Sequence, residues 1–114
     1  MRLVLFRSAW GLNLRADAAR ACASVRAAGF GGIEASLTDI GGSRAERLAF
    51  GKAAQAEGLE LILSAYSSWP NYAGAYDARR TVREHSSALV AELRELAELA
   101  AAHPSALEPV RWLA

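Results

Sequence analysis

The sequence predicts an α/β protein with parallel strands, and three observations carry that prediction. Short apolar runs over residues 3–6, 31–35 and 59–64 alternate with longer stretches of helical periodicity. One piece of grammar also occurs twice. Ala28-Gly29-Phe30-Gly31-Gly32-Ile33-Glu34 and Glu57-Gly58-Leu59-Glu60-Leu61-Ile62-Leu63-Ser64 each read as a helix end, a glycine stop and a short strand. Gly29 and Gly58 stand 29 residues apart, the length of one strand–helix unit. Finally, the 114-residue chain is 53% hydrophobic and 22% charged, enough apolar material for a core. Alternating strands and helices pair in parallel through right-handed crossovers.

Taken in order, Leu3-Val4-Leu5-Phe6 fits a strand buried on both faces. Arg7-Ser8-Ala9-Trp10-Gly11 reads as a loop, with Asn13 as the cap of the next helix. Leu14, Ala18, Ala21, Cys22 and Val25 recur at helical spacing, and Gly29 ends that helix at the positive φ which only glycine adopts without steric cost. The second strand covers residues 31–35, and residues 38–42 read as a loop. Ser43 and Glu46 then form a capping box, with Ala45, Leu48, Ala49, Ala53 and Ala56 as the inward stripe up to Gly58. The third strand runs over residues 59–64.

Residues 65–80 break the rhythm. They gather Tyr66, Trp69, Tyr72 and Tyr76 in a loop longer than is usual between such elements. Thr81 and Glu84 form a second capping box, and the longest helix follows over residues 82–102. Its stripe is Val82, Leu89, Val90, Leu93, Leu96, Ala97 and Ala100, and Pro104 stops it. Residues 109–114 read as the start of a fourth strand. The expected order is therefore β-α-β-α-β-α-β in one domain spanning 1–114.

Composition excludes several classes of function. A net charge of +1 offers no field for nucleic acid or an anionic membrane. The single cysteine, Cys22, rules out a disulfide framework and reads as a small apolar side chain on a helix. No apolar run approaches the roughly 20 residues of a membrane span, and the start is too short for a signal peptide, so a cytoplasmic setting is expected. Trp10-Gly11 is not a dinucleotide-binding fingerprint, and no Walker sequence occurs. His85 has Leu89 at the position where a second helical ligand would stand, and His103 sits near a helix C-terminus, where the dipole favours a cation.

Trp10-Gly11 after the first strand, Ala28-Gly29-Phe30-Gly31-Gly32-Ile33-Glu34 and Glu57-Gly58-Leu59-Glu60-Leu61-Ile62 together resemble the opening of xylose isomerase-like TIM-barrel proteins, the sugar phosphate isomerases and epimerases. The segment closing on Glu34 is the most specific part. The resemblance spans nearly the whole chain and implies a partial (β/α)8 barrel, its N-terminal half, with the site at the C-terminal ends of the strands. It further implies a sugar or sugar-like substrate and, in a complete member, a divalent metal (Mn, Mg, Co or Zn). That metal is held by residues of later strands, which this chain does not reach, so the chain as given is expected to be a truncated barrel without turnover. No catalytic residue and no metal ligand set is identifiable within it.

The positions that match the resemblance are upstream. Glu34 is expected as a substrate-side carboxylate, with a plain salt-bridging role at the strand ends as the alternative. Trp10 lines a sugar pocket or plugs the barrel mouth. Ser64 and Tyr66, at the end of the third strand, face the site or pack locally, and Trp69, Tyr72 and Tyr76 form a lid or pack among themselves. Two other readings remain beside the enzyme family: a non-catalytic half-barrel that self-associates through unpaired edge strands, and an unrelated small α/β binding domain.

Overall fold

The computed structural model describes residues 1–65 and 78–102. The protein is α/β with a three-stranded parallel sheet. Strand β1 is Phe6–Ser8, helix α1 Ala18–Ala27, strand β2 Gly32–Ser36, helix α2 Leu37–Ile40, helix α3 Arg44–Ala56, strand β3 Glu60–Ser64 and helix α4 Val82–Ala102. The strands lie in sequence order, β1-β2-β3. Phe6 pairs with Gly32, and Gly32 with Glu60. Two residues on, Ser8 pairs with Glu34, and Glu34 with Ile62.

The repeated glycine grammar has one structural cause. At the end of α1, Gly29 N–H donates to the Arg26 carbonyl and Phe30 N–H to that of Val25, with Gly29 at φ +91°. At the end of α3, Gly58 N–H donates to the Gln55 carbonyl and Leu59 N–H to that of Ala54, with Gly58 at φ +65°. Both are the same helix-ending motif, in which a left-handed residue turns two amides back onto the last free carbonyls. Each places the next residue at the root of a strand. Leu59 and Ala54 are both fully buried, which closes the second copy with an apolar contact.

The core lies on one side of the sheet. Alternation along the strands sends Ile33, Ala35, Leu61 and Leu63 to that side. There they join Ala21, Cys22 and Val25 of α1 and Phe50 and Ala54 of α3. Helix α4 packs on α3 through its C-terminal half, where Leu96 and Leu99 are buried. Gly51 makes that approach possible, since a Cβ there would stand 3.0 Å from Leu99 Cδ1.

Several expectations are corrected. The first strand lies at Phe6–Ser8, later than residues 3–6, and the segment read as loop supplies its last two residues. Asp17, not Asn13, caps α1, its carboxylate accepting from Arg20 N–H at 2.9 Å. Asn13 Oδ1 accepts from Ala16 N–H one turn earlier. Residues 38–40, read as the start of a loop over 38–42, belong instead to the short helix Leu37–Ile40, because Ser36 and Asp39 make a third capping box. The inward face of α3 is Phe50, Gly51 and Ala54, whereas Ala45, Leu48, Ala49 and Ala56 are exposed. In an alanine-rich helix no face dominates by count, so the one large apolar side chain, Phe50, sets the rotation. In α4, Val82 and Val90 are exposed, and Leu99 takes the buried place expected of Ala100. The capping boxes of Ser43 with Glu46 and of Thr81 with Glu84 stand as expected. The fourth strand over 109–114, Pro104 and His103 lie outside the described residues, as do Tyr66, Trp69, Tyr72 and Tyr76.

Candidate functional site

The other side of the sheet carries a different set of side chains. In the first layer, Phe6 lies across Gly32, and a Cβ on Gly32 would stand 2.3 Å from the Phe6 ring. Beside them Glu60 forms an ion pair with Arg2, which reaches over the glycine-lined centre of the sheet. The second layer is Ser8, Glu34 and Ile62, all exposed. The third is Ser36 and Ser64. Gly32 and Ser36 are buried on this face, whereas Ser8, Glu34 and Ile62 are open to solvent.

Glu34 occupies the middle of this face, near the C-terminal end of β2. It is the one exposed residue of its strand. Ser64 Oγ donates to Glu34 Oε1 at 3.3 Å, tying the ends of β2 and β3 together. This single hydroxyl leaves the carboxylate with further acceptor capacity directed at solvent. Ser36 is engaged elsewhere, with its hydroxyl and backbone amide both donating to Asp39 Oδ2 at 2.9 Å. Asp39 is thus spent on capping α2.

The end of β1 is built by Arg7. Its guanidinium donates to the carbonyl of Ser8 and, at 3.1 Å, to that of Trp10, folding residues 8–10 back over the strand end. Trp10 N–H donates to Ser8 Oγ at 3.2 Å, and Ala9 N–H to the Glu34 carbonyl at 2.7 Å. The result places the Trp10 indole in solvent, 83% exposed. It does not plug the mouth of the sheet. It stands as an open aromatic surface on the turn that follows Ser8, the residue paired with Glu34.

Glu34, Ser64 and Ser8 therefore meet at the strand ends, with Trp10 at the rim. Tyr66 lies outside the described residues. The sequence reading passed over Ser8 and the pair Ser36 and Asp39. The latter had a visible signal, a serine with an aspartate three residues on. A carboxylate, hydroxyls and an exposed indole can accept and donate hydrogen bonds to a polyol and stack on its apolar face. Among the described residues no group of three His, Cys, Asp or Glu side chains could hold an ion.

Two titratable groups elsewhere belong to the scaffold. Burial pushes the Cys22 thiol up to about 11, with the charge of Glu57 adding to the effect. Hydrogen bonds from the Ser43 backbone and hydroxyl hold the Glu46 carboxyl below its ordinary range. No described helix is long and apolar enough to cross a membrane. Comparison with family models, with curated proteins and with solved structures finds no match to this chain.

Proposed function

We propose that this chain forms the opening part of a (β/α)8 barrel of the sugar phosphate isomerase and epimerase type. In this reading the bare sheet face is the wall of a site for a sugar or sugar-like molecule, and Glu34 is its principal acceptor. The observation that carries the reading is the position of Glu34. It is exposed near the C-terminal end of β2, held by Ser64 and flanked by Ser8, on the face away from the helices. Ligands of parallel α/β folds bind outside the carboxyl ends of the strands. The sequential strand order suits a barrel, although half of a doubly wound sheet has the same order. The absence of a glycine-rich phosphate loop after β1 favours the barrel.

On this account Glu34 accepts hydrogen bonds from sugar hydroxyls and Ser64 fixes its orientation. Ser8 adds a second polar contact, and Trp10 offers a stacking surface at the rim. The described residues do not fit a divalent metal, so no step through a metal is assigned to them. A proton shuttle between adjacent carbons needs partners that these residues do not supply, and the chain alone has no turnover. It works in a reducing cytoplasmic setting, where Cys22 stays a thiol.

Calorimetric titration tests this reading. The chain and Glu34→Gln are each titrated with a panel of aldoses, ketoses and their phosphates, with and without manganese or magnesium. The expected result is binding of at least one panel member, weakened about tenfold or more in the variant, since a charge-assisted hydrogen bond is lost. Equal affinity of the two proteins, or no binding across the panel, contradicts the assignment. Isomerisation by the unaltered chain would overturn the statement that it lacks turnover.

A further inference from the structure

Trp10 stands at the corner of a tight turn that is held at several points. Leu12 N–H donates to the Ala9 carbonyl at 2.9 Å, and Gly11 lies at φ +79°, the value of the third residue of a type II turn. The backbone alone requires glycine there, since a Cβ on Gly11 would meet nothing within 4 Å. Ala9, the first residue of the turn, is buried, and its N–H donates to the Glu34 carbonyl at 2.7 Å. The turn is thereby tied to the strand that carries the candidate acceptor.

Each of the two peptide planes flanking Trp10 is held by a side chain. Ser8 Oγ accepts from the Trp10 N–H at 3.2 Å, and Arg7 Nη1 donates to the Trp10 carbonyl at 3.1 Å. The same nitrogen donates to the Ser8 carbonyl. Among the described residues the partners of this guanidinium are two carbonyls of one turn, not a carboxylate. Peptide units are planar, so holding both planes gives the Trp10 Cα–Cβ bond one direction. The indole beyond it is exposed and settles on a ligand through its own side-chain torsions.

We propose that Arg7 is a positioning residue of the site, and that the platform it aims makes the site select closed-ring sugars over open-chain polyols. This role rests on the reading of Glu34 as a sugar acceptor. A pyranose presents a flat patch of C–H groups that an indole face covers, which leaves its hydroxyls for Glu34 and Ser8. An open-chain polyol has no such patch and loses rotational freedom in making one. Arg7 touches no ligand atom. It holds the Trp10 backbone before the ligand arrives, so that binding does not have to order the turn.

Calorimetric titration with the methyl pyranosides of xylose, glucose and mannose, and with xylitol, glucitol and mannitol, tests the proposal. The unaltered chain is expected to bind at least one pyranoside about tenfold tighter than its alditol. Arg7→Met loses the donors, and Gly11→Ala disfavours the same turn without a clash. Each is expected to cut the preference to about threefold or less, whereas Arg7→Lys, which keeps a donor, retains it within about twofold. In Trp10→Ala the preference disappears, and adding Arg7→Met changes pyranoside affinity by less than about twofold, because no platform is left to aim. Far-UV circular dichroism checks the fold, and Gly11→Ala carries the same test if Arg7→Met does not fold. Binding that Glu34→Gln weakens but that shows no preference for the ring overturns this proposal alone. So does an unchanged preference in Arg7→Met, or an equal loss on adding Arg7→Met to Trp10→Ala. No binding, or binding that Glu34→Gln leaves unchanged, overturns the reading of Glu34 and this proposal with it.

Discussion

Ile33 and Glu34 are neighbours in sequence and opposite in fate. Ile33 points into the helix-covered side and is fully buried among Cys22, Phe50 and Leu61. Glu34 points the other way and meets one serine and solvent. The same division runs through β3, where Leu61 and Leu63 are buried while Ile62 between them is exposed. The difference teaches that one face of this sheet holds the fold and the other is free to vary in chemistry. A strand supports both because successive side chains alternate.

Removing the largest core side chain breaks the comparison most severely. Phe50→Ala opens a cavity between α3 and the sheet and costs about 3–5 kcal/mol, read by denaturant unfolding. Ligand affinity at the opposite face is expected to stay within twofold for the molecules that remain folded. A parallel loss of affinity at low denaturant would mean the two faces are not separable.

Alkali probes the same covered face. The Cys22 thiol lies near 11 when folded, against an ordinary 9.0 once exposed. Its contribution is complete below pH 9 and is lost as pH rises toward 11, because the unfolded chain ionises first. The unaltered chain is expected to lose about 2 kcal/mol more than Cys22→Ala between those limits. The native thiol should also resist alkylation at pH 8. Identical pH profiles would contradict the burial of Cys22.

On the bare face, Gly32→Ala sharpens the contrast. The new Cβ collides with the Phe6 ring, which is only half-buried, so the ring can swing aside. The cost is expected near 1 kcal/mol, well below what a collision of this depth causes in a closed core. A loss above 3 kcal/mol would indicate that this face is packed.

Ser43→Ala removes the cap that orders the start of α3 and costs about 1 kcal/mol. It also removes the hydroxyl's hydrogen bond to Glu46 while the Ser43 amide keeps its own, so the depressed carboxyl, which supports folding above the ordinary carboxylate range and ceases to do so as pH falls through its lowered value, is weakened in part. The acid limb of the stability curve is expected to flatten in the variant. The smallest effect on stability belongs to Glu34→Gln, within about 0.5 kcal/mol, because an exposed carboxylate with one hydroxyl partner contributes little to folding.

Much of this division was legible in the sequence. The two glycine stops, the strands they lead into and two of the three capping boxes follow from local rules that act within six residues. The third box escaped because Ser36 and Asp39 sit directly after a strand, where a loop is the usual reading. The rotation of α3 was not legible, since alanines at most positions leave the helix without a marked face and tertiary packing of Phe50 decides. Trp10 was read as lining a sugar pocket or plugging the barrel mouth; its indole is exposed on a turn that Arg7 holds through the carbonyls of Ser8 and Trp10, a contact that no spacing rule reports. Glu34 was legible as a strand-end carboxylate. Its neighbour Ser64 required the pairing register, which a sequence does not state.

The central claim is that function resides on the bare face around Glu34. Amide chemical-shift mapping with the tightest-binding sugar or sugar phosphate tests it most directly. The account predicts that the largest shifts fall on residues 8–10, 34–36 and 64, with the amides of α1 and the middle of α3 unmoved. Shifts concentrated on the helices, or none at saturating ligand, would contradict it.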